Sequence, residues 1–154
     1  MTVSFDISTS SYLRNIPLLR GLSSPIPLTE FYKRREADES SIFWEFHNNF
    51  KTLSNVFEFK NPDEIRKFIL QNRELVEVLL EGVDEIYRIF GSDIRLQLEL
   101  HNDPEEKWDE LFIVIKSSYT AREAVELERK VFNEWFVYVM DKVNNKLNFI
   151  EERL

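Results

Sequence analysis

The chain has 154 residues, the length of one domain or of a domain with an extension; its 43% hydrophobic and 31% charged residues exclude a disordered polyampholyte. It has no cysteine, and its only histidines are His47 and His101, which excludes a disulfide scaffold, a thiolate nucleophile, an iron–sulfur cluster and a cysteine- or histidine-rich metal site. The formal charge of −8 is uneven: residues 1–60 hold seven basic and seven acidic side chains, and residues 61–154 hold 13 basic and 21 acidic.

That charge opposes nucleic-acid binding, which draws its affinity from neutralising phosphates, and it opposes docking on an anionic membrane. A basic protein partner, or solubility alone, suits it better. The first residues have neither the basic start nor the apolar run of a signal peptide, and no stretch approaches 18 apolar residues. The cytoplasm is the expected compartment.

Residues 1–28 read as an irregular arm. Pro17, Gly21, Pro25 and Pro27 break any helix, while Leu13, Ile16, Leu18, Leu19, Leu22, Ile26 and Leu28 are too apolar for a free linker. Such a segment lies along its own domain or along another subunit. A helix is predicted over about 40–57, capped at Ser40 or Ser41. Its apolar face is Ile42, Phe43, Phe46, Phe50, Leu53, Val56 and Phe57, and His47 within it reads as structural. Residues 1–60 together form an N-terminal extension to a compact acidic domain over 61–154.

Asn61-Pro62-Asp63-Glu64 carries a helix-start signature: a capping side chain, a proline that lacks an amide to satisfy, and a reciprocal carboxylate. Ile65, Phe68 and Ile69 follow on one face. Asn72 reads as a second cap, opening a helix whose stripe runs through Leu75, Val76, Leu79, Val83, Ile86, Tyr87 and Phe90 to a stop at Gly91. Gly82 inside that stripe weakens the helix by about 1 kcal/mol relative to alanine, so a close helix crossing is expected there.

The period then changes from 3.6 to 2. Ile94, Leu96, Leu98 and Leu100 alternate with Arg95, Gln97, Glu99 and His101, and the run Leu111-Phe112-Ile113-Val114-Ile115 is apolar throughout. An antiparallel hairpin, 94–100 with 111–115, joins them through an acidic turn. Thr120 and Glu123 form a capping box for a helix carrying Val125, Val131, Phe132, Trp135 and Phe136 and ending near Met140. Asn144-Asn145 breaks it, and 146–151 reads as a short third strand. The expected fold is α+β: an antiparallel sheet of about three strands packed by helices, with an N-terminal arm and helix.

Several runs here are characteristic as a set: Phe68-Ile69-Leu70-Gln71-Asn72-Arg73-Glu74-Leu75, Leu79-Leu80-Glu81, Ile86-Tyr87-Arg88-Ile89-Phe90, Leu98-Glu99-Leu100, Asp103-Pro104-Glu105, the second strand, Glu123-Ala124 and Phe132-Asn133-Glu134-Trp135. Over roughly residues 62–152 the chain resembles a family of small prokaryotic α+β proteins with no established activity. The resemblance implies an association with toxin–antitoxin gene pairs. The first 60 residues have no counterpart in that pattern.

Candidate chemistry is sparse. The acidic turn Asp103-Pro104-Glu105-Glu106, with Asp109 and Glu110, offers oxygen ligands but lacks the glycine and alternating carboxylates of a calcium loop, so it reads as a solvated hairpin tip. Glu99 and His101 share a strand face and form either a proton relay or a surface pair. Trp135 reads as a core aromatic or, with Phe136 and Tyr138, as an interface anchor; Leu18 and Leu19 of the arm are further interface candidates. Neither a phosphate loop, a metalloprotease motif nor a nucleophile elbow occurs. The sequence therefore points to a non-enzymatic interaction module without cofactor or metal, antitoxin-like or self-associating as a homodimer. The alternative is a small-molecule-binding domain or hydrolase, with a pocket between sheet and helices and Glu99 and His101 as its polar site.

Overall fold

The computed structural model describes residues 28–154, with side chains from residue 39 onward. The chain divides into two units, Met1–Ser41 and Ile42–Leu154, whereas the sequence reading placed its boundary after Lys60. The described part of the first unit is helical. Helix α1 runs Leu28–Val56, starting well before the predicted residue 40. The expected irregular arm, with Leu18 and Leu19, lies outside the described residues apart from its last residue, Leu28, which opens this helix.

Within the second unit the order is β1 (Phe57–Phe59), α2 (Pro62–Gln71), α3 (Glu74–Phe90), β2 (Arg95–Asp103), β3 (Trp108–Ser117), α4 (Ala121–Val131), a π-helical turn (Phe132–Phe136), α5 (Val137–Val143) and β4 (Leu147–Arg153). The fold is α+β, and its sheet has four strands in the order β1-β2-β3-β4. It is mixed rather than antiparallel: only β2 and β3 are antiparallel, while β1 runs parallel to β2 and β4 parallel to β3.

Two physical causes explain the difference. Phe57 extends the helical spacing of the α1 stripe, which hides a three-residue strand whose pairing is entirely non-local. For β4, the helical connection over 121–143 measures ~34 Å at 1.5 Å per residue, about the length of β3. It returns the chain to the end of the sheet where β3 began, so β4 can only run parallel.

The hairpin strands outrun their apolar cores, pairing as far as Asp103 with Trp108. Backbone bonds are indifferent to side-chain polarity, and the carboxylate of Asp103 closes the turn by accepting the amides of Glu105 and Glu106 at 2.8 and 3.0 Å.

One sheet face carries the core. Phe57, Leu96, Leu98, Leu111, Ile113, Ile115 and Leu147 pack against Ile65 and Ile69 of α2, Leu75, Leu79, Ile86 and Phe90 of α3, and Val131, Val139 and Val143 beyond. Caps follow the sequence only in part. Thr120 and Glu123 make the predicted reciprocal box. Asn72 instead closes α2: it is buried, its amide side chain donates to Phe68 C=O at 2.8 Å, and Arg73 precedes α3. Gly91 takes φ 85°, a conformation few other residues tolerate, and stops α3.

The predicted single helix after Thr120 is interrupted. Val137 N–H donates to Phe132 C=O, five residues back, so one turn is widened. The widened turn keeps Val131, Trp135 and Val139, at four-residue spacing, on the buried side. Val125 and Phe132, predicted on that stripe, are exposed.

Candidate functional site

The opposite face of the sheet holds the polar candidates. The two-residue period that sends Leu98 and Leu100 inward sends Glu99 and His101 outward. Lys60, just past β1, donates to Glu99 at 2.9 Å, and the Nε2 of His101 lies 3.4 Å from the other carboxylate oxygen. The imidazole stacks on Phe112 of the neighbouring strand, with centroids 4.4 Å apart.

Burial pushes the Glu99 carboxyl up, but the hydrogen bonds and charges of Lys60 and His101 more than reverse this and hold it below the usual carboxylate range. Glu110 on the next strand goes the other way: burial raises it, against the opposing pull of Asn148 and His101. The pairing with Lys60 thus favours the ionised form of Glu99. Among the described residues, no group of three or more His, Asp or Glu side chains is placed to hold a metal ion. Sequence spacing brought Glu99 and His101 together correctly. It missed Lys60, because a contact 39 residues away leaves no local signal.

The interface candidates separate. Trp135 and Phe136 are 2% and 7% exposed and belong to the hydrophobic core, so their rings are not surface anchors. Trp135 lies against Gly82, as the expected close crossing requires. Its indole N–H is buried with no acceptor among the described residues. Glu134 beside it accepts from Arg88 of α3 at 2.7 Å, and Glu85 holds the same guanidinium at 2.6 Å. Tyr138 alone of the three aromatics is a surface residue, 78% exposed.

The exposed apolar surface lies elsewhere. Ile42, Phe43 and Trp44 of α1 are 57%, 61% and 61% exposed, although Ile42 and Phe43 read as core from their spacing. Farther along the stripe, Arg66 covers Phe50 and Arg73 covers Phe46, with guanidinium-to-ring distances of 5.6 and 5.4 Å. Leu53 and Phe57 are fully inside. The apolar face is thus longer than its cover.

No helix among the described residues is long and apolar enough to cross a membrane. Among the described residues the helices pack on one face of the sheet, α1 carries exposed apolar side chains, and the other sheet face presents Glu99, His101 and Glu110. No protein family, curated protein or solved structure matches the chain.

Proposed function

We propose that the chain is a non-enzymatic protein-interaction module and that Ile42, Phe43 and Trp44 of α1 form part of its working surface. The observation that carries this is that Ile42 and Phe43 are more than half exposed on a stripe whose other end is core, with Trp44 equally exposed beside them on the same helical turn. Covering what remains open on them is worth roughly 3–5 kcal/mol, taking 1.5–3 kcal/mol per fully buried side chain. The partner is a protein of complementary, basic charge or a second copy of the chain. The net charge of −8 favours the former and opposes nucleic acid and anionic membrane. An antitoxin-like role, the form implied by the family resemblance, is the specific version of a basic partner.

The hydrolase alternative has less support. Glu99 is paired with Lys60, and among the described residues its hydrogen-bond partners are Lys60 and His101, neither of them a serine, threonine or cysteine nucleophile.

The test compares the wild-type chain with a Phe43→Ser/Trp44→Ser variant by light scattering after size exclusion and by pull-down from the native host. The variant is expected to melt as the wild type does while losing self-association or the captured partner. A wild type that is monomeric, and captures nothing the variant fails to capture, removes the basis of the proposal.

A further inference from the structure

We propose that a groove beside β1 receives an extended, cationic peptide segment of a partner protein, which joins the sheet as an added strand. This rests on the interaction-module reading and assigns it a second, chemically defined contact. A cavity of about 400 Å³ lies between the end of α1, β1 and the first turn of α2. Phe57, Glu58 and Phe59 all line it. Three consecutive strand residues meet one cavity only along the strand's edge, because each face presents alternate residues.

The edge is free. Lys60 N–H donates to Leu98 C=O at 3.1 Å, which fixes the phase of the ladder: Glu58 and Lys60 address β2, and the backbones of Phe57 and Phe59 point outward. β1 is the end strand, and among the described residues no backbone bond takes up Phe57 C=O or the N–H and C=O of Phe59. Only an extended chain has unpaired groups at the matching repeat, since a helix spends its own internally.

The walls define the side chains. Phe50, Phe59 and Pro62 give an apolar, largely aromatic wall, with Phe50 and Phe59 edge to face at 5.7 Å. Among the described lining residues Glu58 and Asp63 supply two carboxylates and Arg66 one cation, whose guanidinium lies over the Phe50 ring; Lys116 of β3, which also acts on Glu58 by its charge, is itself paired with Glu152. The local excess of negative charge matches the sign of the whole chain and selects a strand of alternating apolar and basic residues. A three-residue edge is too short to template indiscriminate sheet growth, so the groove rather than the backbone sets selectivity.

The probe is the peptide acetyl-Lys-Val-Lys-Val-Lys-amide, titrated into the full ¹⁵N-labelled chain. Binding on the order of 100 μM is expected, as suits a small transient contact. Resonances of Phe57, Glu58 and Phe59 should move, and the Phe59 amide should exchange at least fivefold more slowly. A strand offers only every second amide to its neighbour, so of two peptides, N-methylated on the valines or on the lysines, one should bind as before and the other at least tenfold more weakly. Glu58→Gln/Asp63→Asn, at two exposed positions, should weaken binding severalfold with the fold intact. Two results overturn the proposal: no perturbation at β1 with 2 mM peptide, or equal binding by both methylated peptides, which charge attraction alone would give. Either can occur while the Phe43→Ser/Trp44→Ser variant still loses association, so loss of the groove is separable from loss of the broader reading.

Discussion

Gly82→Ala tests the packing of α3 against the π-helical turn most directly. A Cβ built on Gly82 would stand 2.5 and 2.6 Å from Cη2 and Cζ2 of Trp135, and 3.3 Å from Cζ3. Carbon contacts relax near 3.5–4.0 Å, so the indole must retreat by about 1 Å. It has little room, being 2% exposed and packed edge to face with Phe136 at 5.8 Å. Overpacking of this kind costs about 1–3 kcal/mol, and so rigid a neighbour places it at the upper end or beyond. Alanine returns about 1 kcal/mol through its helix propensity. The expected net loss is about 2 kcal/mol, a fall in melting temperature of roughly 4–8 °C for a chain of this size.

Urea unfolding followed by circular dichroism measures it. Trp135→Phe supplies the second arm of the cycle. The smaller ring frees the space, and it removes an indole N–H whose burial without an acceptor costs about 1–3 kcal/mol, so the single variant should stay within about 1 kcal/mol of wild type. In that background Gly82→Ala should be neutral or stabilising. If Gly82→Ala is no less stable than the wild type, or loses the same amount with Trp and with Phe at position 135, the wedge is not the reason for the glycine.

Two further outcomes are expected. Thr120→Ala removes the side-chain half of the α4 capping box and should cost about 1 kcal/mol, read as a lower urea midpoint with unchanged slope. Lys60→Met leaves Glu99 with burial and without its main partner. Because the wild-type folded carboxyl sits below its unfolded value, its pairing stabilises above the ordinary carboxylate range and is lost as pH falls through the lowered value. The variant should lose about 1 kcal/mol near neutrality, little at strongly acid pH, and its Glu99 carboxyl should titrate higher by NMR.

Much of the fold was legible because its signals are short-range. The 3.6 period of α3, the alternation of β2, the Thr120–Glu123 box and the Gly91 stop each depend on a few neighbouring residues, and each stands where the sequence places it. Gly82 was readable as a close approach because a helix interior has no other use for a glycine; only the folded chain names Trp135 as what approaches. Of the polar candidates, Glu99 and His101 were visible as same-face neighbours two residues apart, while Lys60 was not.

What the sequence by itself determined, then, is the kind and rough extent of most elements and which face of each is apolar. Tertiary structure decided what covers those faces. Phe43 and Phe50 sit two turns apart on one stripe, yet Phe50 meets Arg66 of α2 and Phe59 of β1 while Phe43 is left largely open. The direction of β4, the existence of β1 and the burial of Trp135 are settled the same way. Each depends on contacts between residues tens of positions apart, whose free energy arises only when distant segments meet.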